Sequence, residues 1–375
     1  MGTRNPRMTK IMSNSRGLRR DLSLLILVPI IGLIAPEVQG ADSPASTIPK
    51  GYVAGRAPKP LTIDGKLDDE EWAKAPWTDD FVDIEGDKKP RPRLRTRAKM
   101  LWDDQYFYVA AELSEPNIWG TLKEHDKVIF QDNDFEVFID PDGDNHAYYE
   151  MEMNALNTTW DLLLEKPYRN GGPAVNAWEI PGMRTGVKVN GTINDATDQD
   201  TSWTVEIAMP WKVLGERTKM PSPPSDGDQW RVNFSRVEWE VTVEGKATKK
   251  VPGRPENNWV WSPQGFIDMH RPEHWGFVQF SKNEPGTTPF RLADDWSDRE
   301  LLMRVYHAQQ AYHAEHKAWA KNLSDLKLDG NKTGEGAFVL ATTAKGYTAS
   351  IVHQAKGDQP KRVLTVREDS LLTRE

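Results

Sequence analysis

The 375-residue chain contains no cysteine. That excludes disulfides, thiolate nucleophiles and cysteine-type zinc sites, and leaves packing and metal binding to hold an exported fold together. Long apolar runs are scarce. The single one, Leu22 to Ile34, is broken by Pro29 and Gly32 and is shorter than the roughly 20 residues of a membrane-spanning helix. Basic clusters are scarce too: past the N-terminus only Lys88 to Lys99 qualifies, and Pro90 and Pro92 interrupt it. With a formal net charge of -8, a surface that tracks phosphates, and with it a nucleic-acid partner, is not expected. Gly171-Gly172-Pro173 lacks the Lys and helix start of a phosphate loop, and no organic cofactor is expected. The pairs His270 with His274 and His313 with His316 have no carboxylate pattern that makes a zinc site.

Residues 1–40 read as an export leader, with Arg4, Arg7, Lys10, Arg16, Arg19 and Arg20 ahead of the apolar run. Val38 and Gly40 are small residues suited to precede cleavage, so the mature chain is expected to begin near Ala41, secreted or in the cell envelope. Membrane attachment follows only if the leader stays uncleaved.

From Tyr52 to Phe280 helical periodicity is nearly absent, and short alternating segments are separated by Gly, Pro, Asp and Asn, the pattern of an antiparallel β-sandwich, here bounded at 41–285. In Asp134 to Asp140, Phe135, Val137 and Ile139 are expected to face the core, with Asp134, Glu136 and Phe138 on the other side. Between Trp296 and Trp319 the period changes: Leu301, Val305, Ala308, Tyr312 and Trp319 form one helical stripe. Strand-like pieces at 337–342 and 347–352 complete a helix-plus-hairpin appendage, 292–352, before a charged tail, 353–375. An appendage so small is expected to dock on the sandwich or on a protein partner through its helix.

Fifteen tryptophans are present, and an indole face stacks well on a sugar ring. Most, such as Trp72, Trp203, Trp211 and Trp230, read as core. Trp259 and Trp261, two apart among Asn257 and Asn258, share a side of an extended segment and suit a rim. Secondary polar candidates are Asn154, Asn157, Asp161, Arg236 and Glu238, whose ordinary reading is sheet-face polarity. Asp140, Asp142 and Asp144 alternate around Gly143, which suits a structural calcium or a plain turn. Asp134 with Glu136, or Glu150 with Glu152, would lie about 7 Å apart along a strand, a spacing that permits glycoside hydrolysis. A small sandwich offers no deep cleft for it.

Leu61-Thr62-Ile63-Asp64-Gly65-Lys66-Leu67-Asp68 followed by Trp72, then Leu101-Trp102-Asp103-Asp104, then Asp132 to Asp140, and later Trp203 to Pro210, resemble family 9 carbohydrate-binding modules in order and spacing. The resemblance implies a sandwich that grips a sugar, often a xylan- or cellulose-type chain end, between two aromatic side chains, with amide, Arg and Glu groups on its hydroxyls. It would make Asn258 and Trp261 one platform, place Phe130, six residues before Glu136, where the second Trp belongs, and leave Trp119 or Trp160 as substitutes. The expected function is therefore carbohydrate binding. The alternatives are a structural envelope protein that has lost its sugar site and a glycoside hydrolase. Gln309 to Tyr312, Leu323 to Leu326 and Gly346 to Ala349 loosely resemble the distal part of type IV pilin-like sequences; the apolar pilin helix is missing, so no assembly role follows.

Overall fold

The computed structural model describes residues 48–328, 336–357 and 360–375. The expected leader, its cleavage point at Gly40 and the turn through Asp329-Gly330-Asn331 lie outside the described residues.

One sheet of 13 strands curls until its halves face each other. Its order runs Ala174–Val175, Thr159–Leu164, Tyr148–Asn154, Asp134–Asp140, Gln229–Glu238, Gly276–Ser281, Gly51–Arg56, Thr96–Trp102, Tyr106–Ser114, Ser202–Pro210, Arg184–Asn190. Asn257–Val260 pairs with Gln229–Glu238 and with Val82–Asp83. Pairing is antiparallel except at Gly51–Arg56, which runs parallel to both neighbours and closes the seam between the halves. The fold is the expected mainly β sandwich with a C-terminal helix.

The alternation explains the core. Phe135, Val137, Ile139 and Met151 from one half meet Met100, Trp102, Val109, Trp203 and Ile207 from the other, and each fully buried large side chain contributes on the order of 3 kcal/mol. The Ile63-Asp64-Gly65 opening is fixed by Glu206, whose carboxylate accepts the Asp64 and Gly65 N–H groups and Trp72 Nε1, the last at 2.7 Å. Gly65 has φ +85°, and a Cβ there would lie 2.3 Å from the Val187 carbonyl carbon. Only glycine fits.

The helix Trp296–His316 lies on a four-stranded antiparallel sheet, Ala337–Thr342, Tyr347–His353, Arg362–Arg367 and Leu372–Arg374. Here the structure differs from the sequence reading. The charged tail supplies the last two strands because Leu364, Val366 and Leu372 form an alternating apolar set that the neighbouring charges disguise. The helix ends before Trp319: Lys317 adopts φ +54°, and Trp319 folds back on His313 and Tyr347.

The appendage docks in cis. Trp296 meets Phe277 edge-on at 5.8 Å, Leu372 N–H donates to the Asp144 carbonyl, and Ser370 Oγ bonds Asn170. The apolar stripe expected to serve a protein partner is occupied by the chain's own sheet. No helix among the described residues is long and apolar enough to cross a membrane.

Candidate functional site

Trp259 and Trp261 do share a side, as their spacing requires, but that side is the interior. They are 4% and 2% exposed. The register Arg236↔Trp259 and Val237↔Asn258 turns both indoles toward Phe234 and the core, and Trp261 packs so tightly on Gly276 that a Cβ there would lie 2.4 Å from its ring. Three residues apart on an extended segment means opposite faces, so half-buried Asn258 points away from Trp261. The expected Asn258–Trp261 platform does not form.

Arg236 and Glu238 are also interior. Arg236 donates to Glu115 at 2.9 Å, Glu238 at 2.8 Å, Thr96 Oγ1 and the Ser114 carbonyl. Asn133 bridges Glu115 and Glu238, and Arg93 reaches Glu238. Every guanidinium nitrogen is engaged, so the network ties the sheet halves together and offers nothing to a ligand. Burial pushes Glu115 up to about 8, with Glu238 adding to the rise and Arg236 opposing it. Asn157 is exposed at a hairpin turn with φ +62°, its amide directed at the Thr185 carbonyl. Asn154 bonds Leu122, Asp132 and its own turn.

The second face of the sheet is different. Cross-strand registers set Asn154 beside Asp134, then Trp160, Glu152, Glu136 and Ser235 in one row, and Leu162, Glu150, Phe138 and Asn233 in the next. The sequence put Glu136 outside the core layer, and the structure surrounds it with Asp134, Glu150 and Glu152, all four buried. One oxygen from each of Asp134, Glu136 and Glu152 lies within 4.8 Å of the others. Glu152 accepts the Phe130 N–H at 2.9 Å and Asp134 accepts the Val237 N–H. Asp134 Oδ2 and Ser235 Oγ have no hydrogen-bond partner. Burial first, then mutual repulsion, raises Asp134, Glu150 and Glu152 well above the usual carboxylate range; burial pushes Glu136 up to about 7. Burial and like charge thus favour the neutral form of these acids, in which an O–H donor lies beside an oxygen acceptor.

Aromatic side chains edge these acids. Phe130 is half-buried in the turn Ile129–Gln131, and its carbonyl accepts Trp239 Nε1 at 2.9 Å. Trp160 and Trp239 are half-buried. Tyr168 is 48% exposed, and its hydroxyl is raised to about 12 by burial and then by the Glu150 and Glu152 charges. Trp119, the other expected substitute, is buried. Trp239 and Tyr168 escaped sequence reasoning because both lie in irregular segments. The Glu150–Glu152 strand had a signal: the Asp140 to Asn145 turn makes it the hairpin partner of Asp134–Asp140.

In that turn Asp140, Asp142 and Asp144 each offer an oxygen within 4.8 Å of the others. Asp140 accepts the Gly143 and Asn145 N–H groups, Asp142 the Thr218 hydroxyl, and Asp144 the His146 N–H. Burial and then Asp142 push Asp144 up to about 7. An all-oxygen set crowded by like charge suits calcium. The turn borders a cavity of about 1010 Å³ shared with Arg231, Asp295, Arg299 and Arg374.

Residues 63–235, a little under half of the chain, match the family model described as carbohydrate family 9 binding domain-like, so this region carries a family 9-like domain. Over 99 residues, 26% of the chain, there is 30% identity to exoglucanase XynX of Acetivibrio thermocellus, of whose length the chain spans 8%. A family 9 carbohydrate-binding module from Caldicellulosiruptor kristjanssonii in complex with cellotriose superposes with TM-score 0.41 and 16% identity, covering 65% of this chain and 100% of that one. The same organism's module in complex with glucose gives TM-score 0.42 and 17% identity, covering 64% and 100%.

Proposed function

We propose that this chain binds an oligosaccharide or polysaccharide on the acidic sheet face, with Phe130, Trp160, Trp239 and Tyr168 as stacking surfaces and Glu136, Glu150, Glu152 and Asn258 as partners for hydroxyls. The observation that carries the reading is the row of buried carboxylates edged by half-exposed aromatics, since stacked rings with convergent polar groups are what a hydroxylated ring requires. The family 9-like match supports a sugar as the ligand class, and the exoglucanase match makes β-linked glucan and xylan oligosaccharides the first to try.

Calorimetric titration with cellohexaose and xylohexaose tests it. Trp239→Ala and Glu136→Gln are each expected to weaken binding by roughly 30-fold, the loss of about 2 kcal/mol at an interfacial anchor. Unchanged affinity in both variants would move the site elsewhere, and no binding by the parent would leave the structural envelope role.

Two further parts of the reading concern compartment and calcium. We place the protein outside the cytoplasm, which the charged-then-apolar leader and the missing cysteines support; a mature N-terminus near Ala41 in exported material is the check. We also assign calcium to Asp140, Asp142 and Asp144, where it would brace the turn against the C-terminal sheet. Saturating calcium is expected to raise the melting temperature by roughly 5 °C over chelated protein, about 2.7 kcal/mol at 100-fold excess over Kd. Asp142→Asn should abolish the shift, and an equal shift in that variant would retire the assignment.

A further inference from the structure

We propose that His125, Asp126, Asp161 and Glu179 form a binding site for a divalent transition metal of the zinc class at the edge of the sandwich. His125 Nδ1 lies 2.8 Å from the Thr159 carbonyl oxygen. A carbonyl only accepts, so Nδ1 carries the ring proton and the lone pair sits on Nε2. Nε2 faces Glu179 Oε2 at 3.0 Å, Asp126 Oδ1 at 3.3 Å and Asp161 Oδ1 at 3.8 Å. Nε2 thus faces three carboxylate oxygens with no donor between them unless the ring takes a second proton, a conflict that a cation resolves. His125, Asp126 and Glu179 each offer an atom within 4.8 Å of the others, and Asp161 Oδ1 approaches the ring beside them.

Asp161 supplies an independent observation. Its side chain is 2% exposed; one oxygen accepts the Ile180 N–H, while Oδ1 has no hydrogen-bond partner and is aimed at His125. A buried polar atom left unpaired costs about 1–3 kcal/mol, which a metal bond would offset. Asp161, a candidate sugar contact by sequence, pairs with Met151 of the core layer, on the opposite face from Trp160.

The dimensions select the metal. Zinc bonds of about 2.0–2.2 Å in a tetrahedron place ligand atoms about 3.3–3.6 Å apart, and the three separations from Nε2 bracket that range. Calcium needs six to eight oxygens at about 2.3–2.6 Å, and a nitrogen ligand disfavours it. Three of the four ligands are already grouped. A backbone carbonyl on the far ring nitrogen is the outer contact that orients metal-binding imidazoles, and the Asp126 N–H donates to the same Thr159 oxygen. His125, Asp126 and Asp161 are thereby held to one strand end.

The test uses the full chain, stripped with chelator and titrated with zinc by calorimetry and with cobalt by visible absorption. The parent is expected to bind one more zinc per chain than His125→Gln or Asp161→Asn, or to bind it at least about 100-fold more tightly, and to show intense tetrahedral cobalt bands that both variants lose. Asparagine keeps an oxygen for the Ile180 N–H, and equal metal-free melting temperatures would show that both variants fold. His307→Gln controls for the second His-containing cluster among the described residues, Glu273, His274 and His307. Zinc binding that depends on His307 and not on His125, identical cobalt spectra in parent and His125→Gln, or a response to calcium alone would overturn the proposal.

Discussion

Trp261→Ala is expected to lower the melting temperature by roughly 10 °C, because emptying a core indole site costs about 3–5 kcal/mol. The side chain is 2% exposed, touches Phe234 and seats its ring on Gly276. Its backbone N–H is held by the Phe234 carbonyl, so the neighbours cannot collapse into the space by moving the segment. Gly276→Ala attacks the same contact from the other side, where added volume in a packed core costs about 1–3 kcal/mol. A surface platform would behave in the opposite way, losing sugar affinity with an unchanged melt. A thermal scan with no shift in Trp261→Ala would restore the rim assignment.

Stability is expected to increase as the pH falls from 8 to about 6.5, by roughly 5 °C in chelated, sugar-free protein. Glu136 rises from its ordinary 4.5 to about 7 and Glu115 to about 8, and Asp134, Glu150 and Glu152 move in the same direction. For an acid raised in the folded state, the folded chain binds more protons than the unfolded one between the two values. Its contribution is therefore complete below the unfolded value and is lost as the pH rises through the folded one. Each such group changes stability by up to about 1.4 kcal/mol per pH unit inside its window.

Histidines limit the trend. Burial lowers His270 and His274 to about 4, so below about 6.5 the unfolded chain binds their protons preferentially and offsets part of the gain from the acids. The gain per pH unit is therefore expected to be smaller below about 6.5 than above it. The double variant Glu136→Gln, Glu152→Gln should make the alkaline limb shallower, because glutamine has no proton to lose, and leave the part due to Glu115. A parent profile flat from 6.5 to 8 would show that the acids are ionised on the folded chain.

Much of the fold was legible because its signals are local. Alternation in Asp134–Asp140 and Ser202–Pro210 separates core from second face, the Ile63-Asp64-Gly65 turn demands glycine, and the stripe Leu301, Val305, Ala308 marks the helix. The tail was misread because Arg362, Arg367 and Asp369 mask Leu364, Val366 and Leu372, whose burial depends on a helix some sixty residues earlier.

The site was less legible. Spacing alone put Trp259 and Trp261 on one side, but whether that side meets solvent depends on a register with Gln229–Glu238, a long-range choice. Arg236 and Glu238 read as ligand contacts because the sequence does not show that Glu115, Asn133 and Arg93 already occupy them. His125 had only Asp126 within reach of a motif; Asp161 and Glu179 come to it only when the sheet edge forms.

By itself, the sequence determined the β-rich sandwich, the C-terminal helix, the absence of thiol chemistry and the alternation that sets Glu136 outside the core layer, all consequences of periodicity and composition. Only the tertiary structure decided which tryptophans are covered, which acids meet on one face and which imidazole faces three carboxylates. Those outcomes follow from strand register and sheet curvature, which bring together residues far apart in the chain and can turn one alternating pattern toward solvent or toward core.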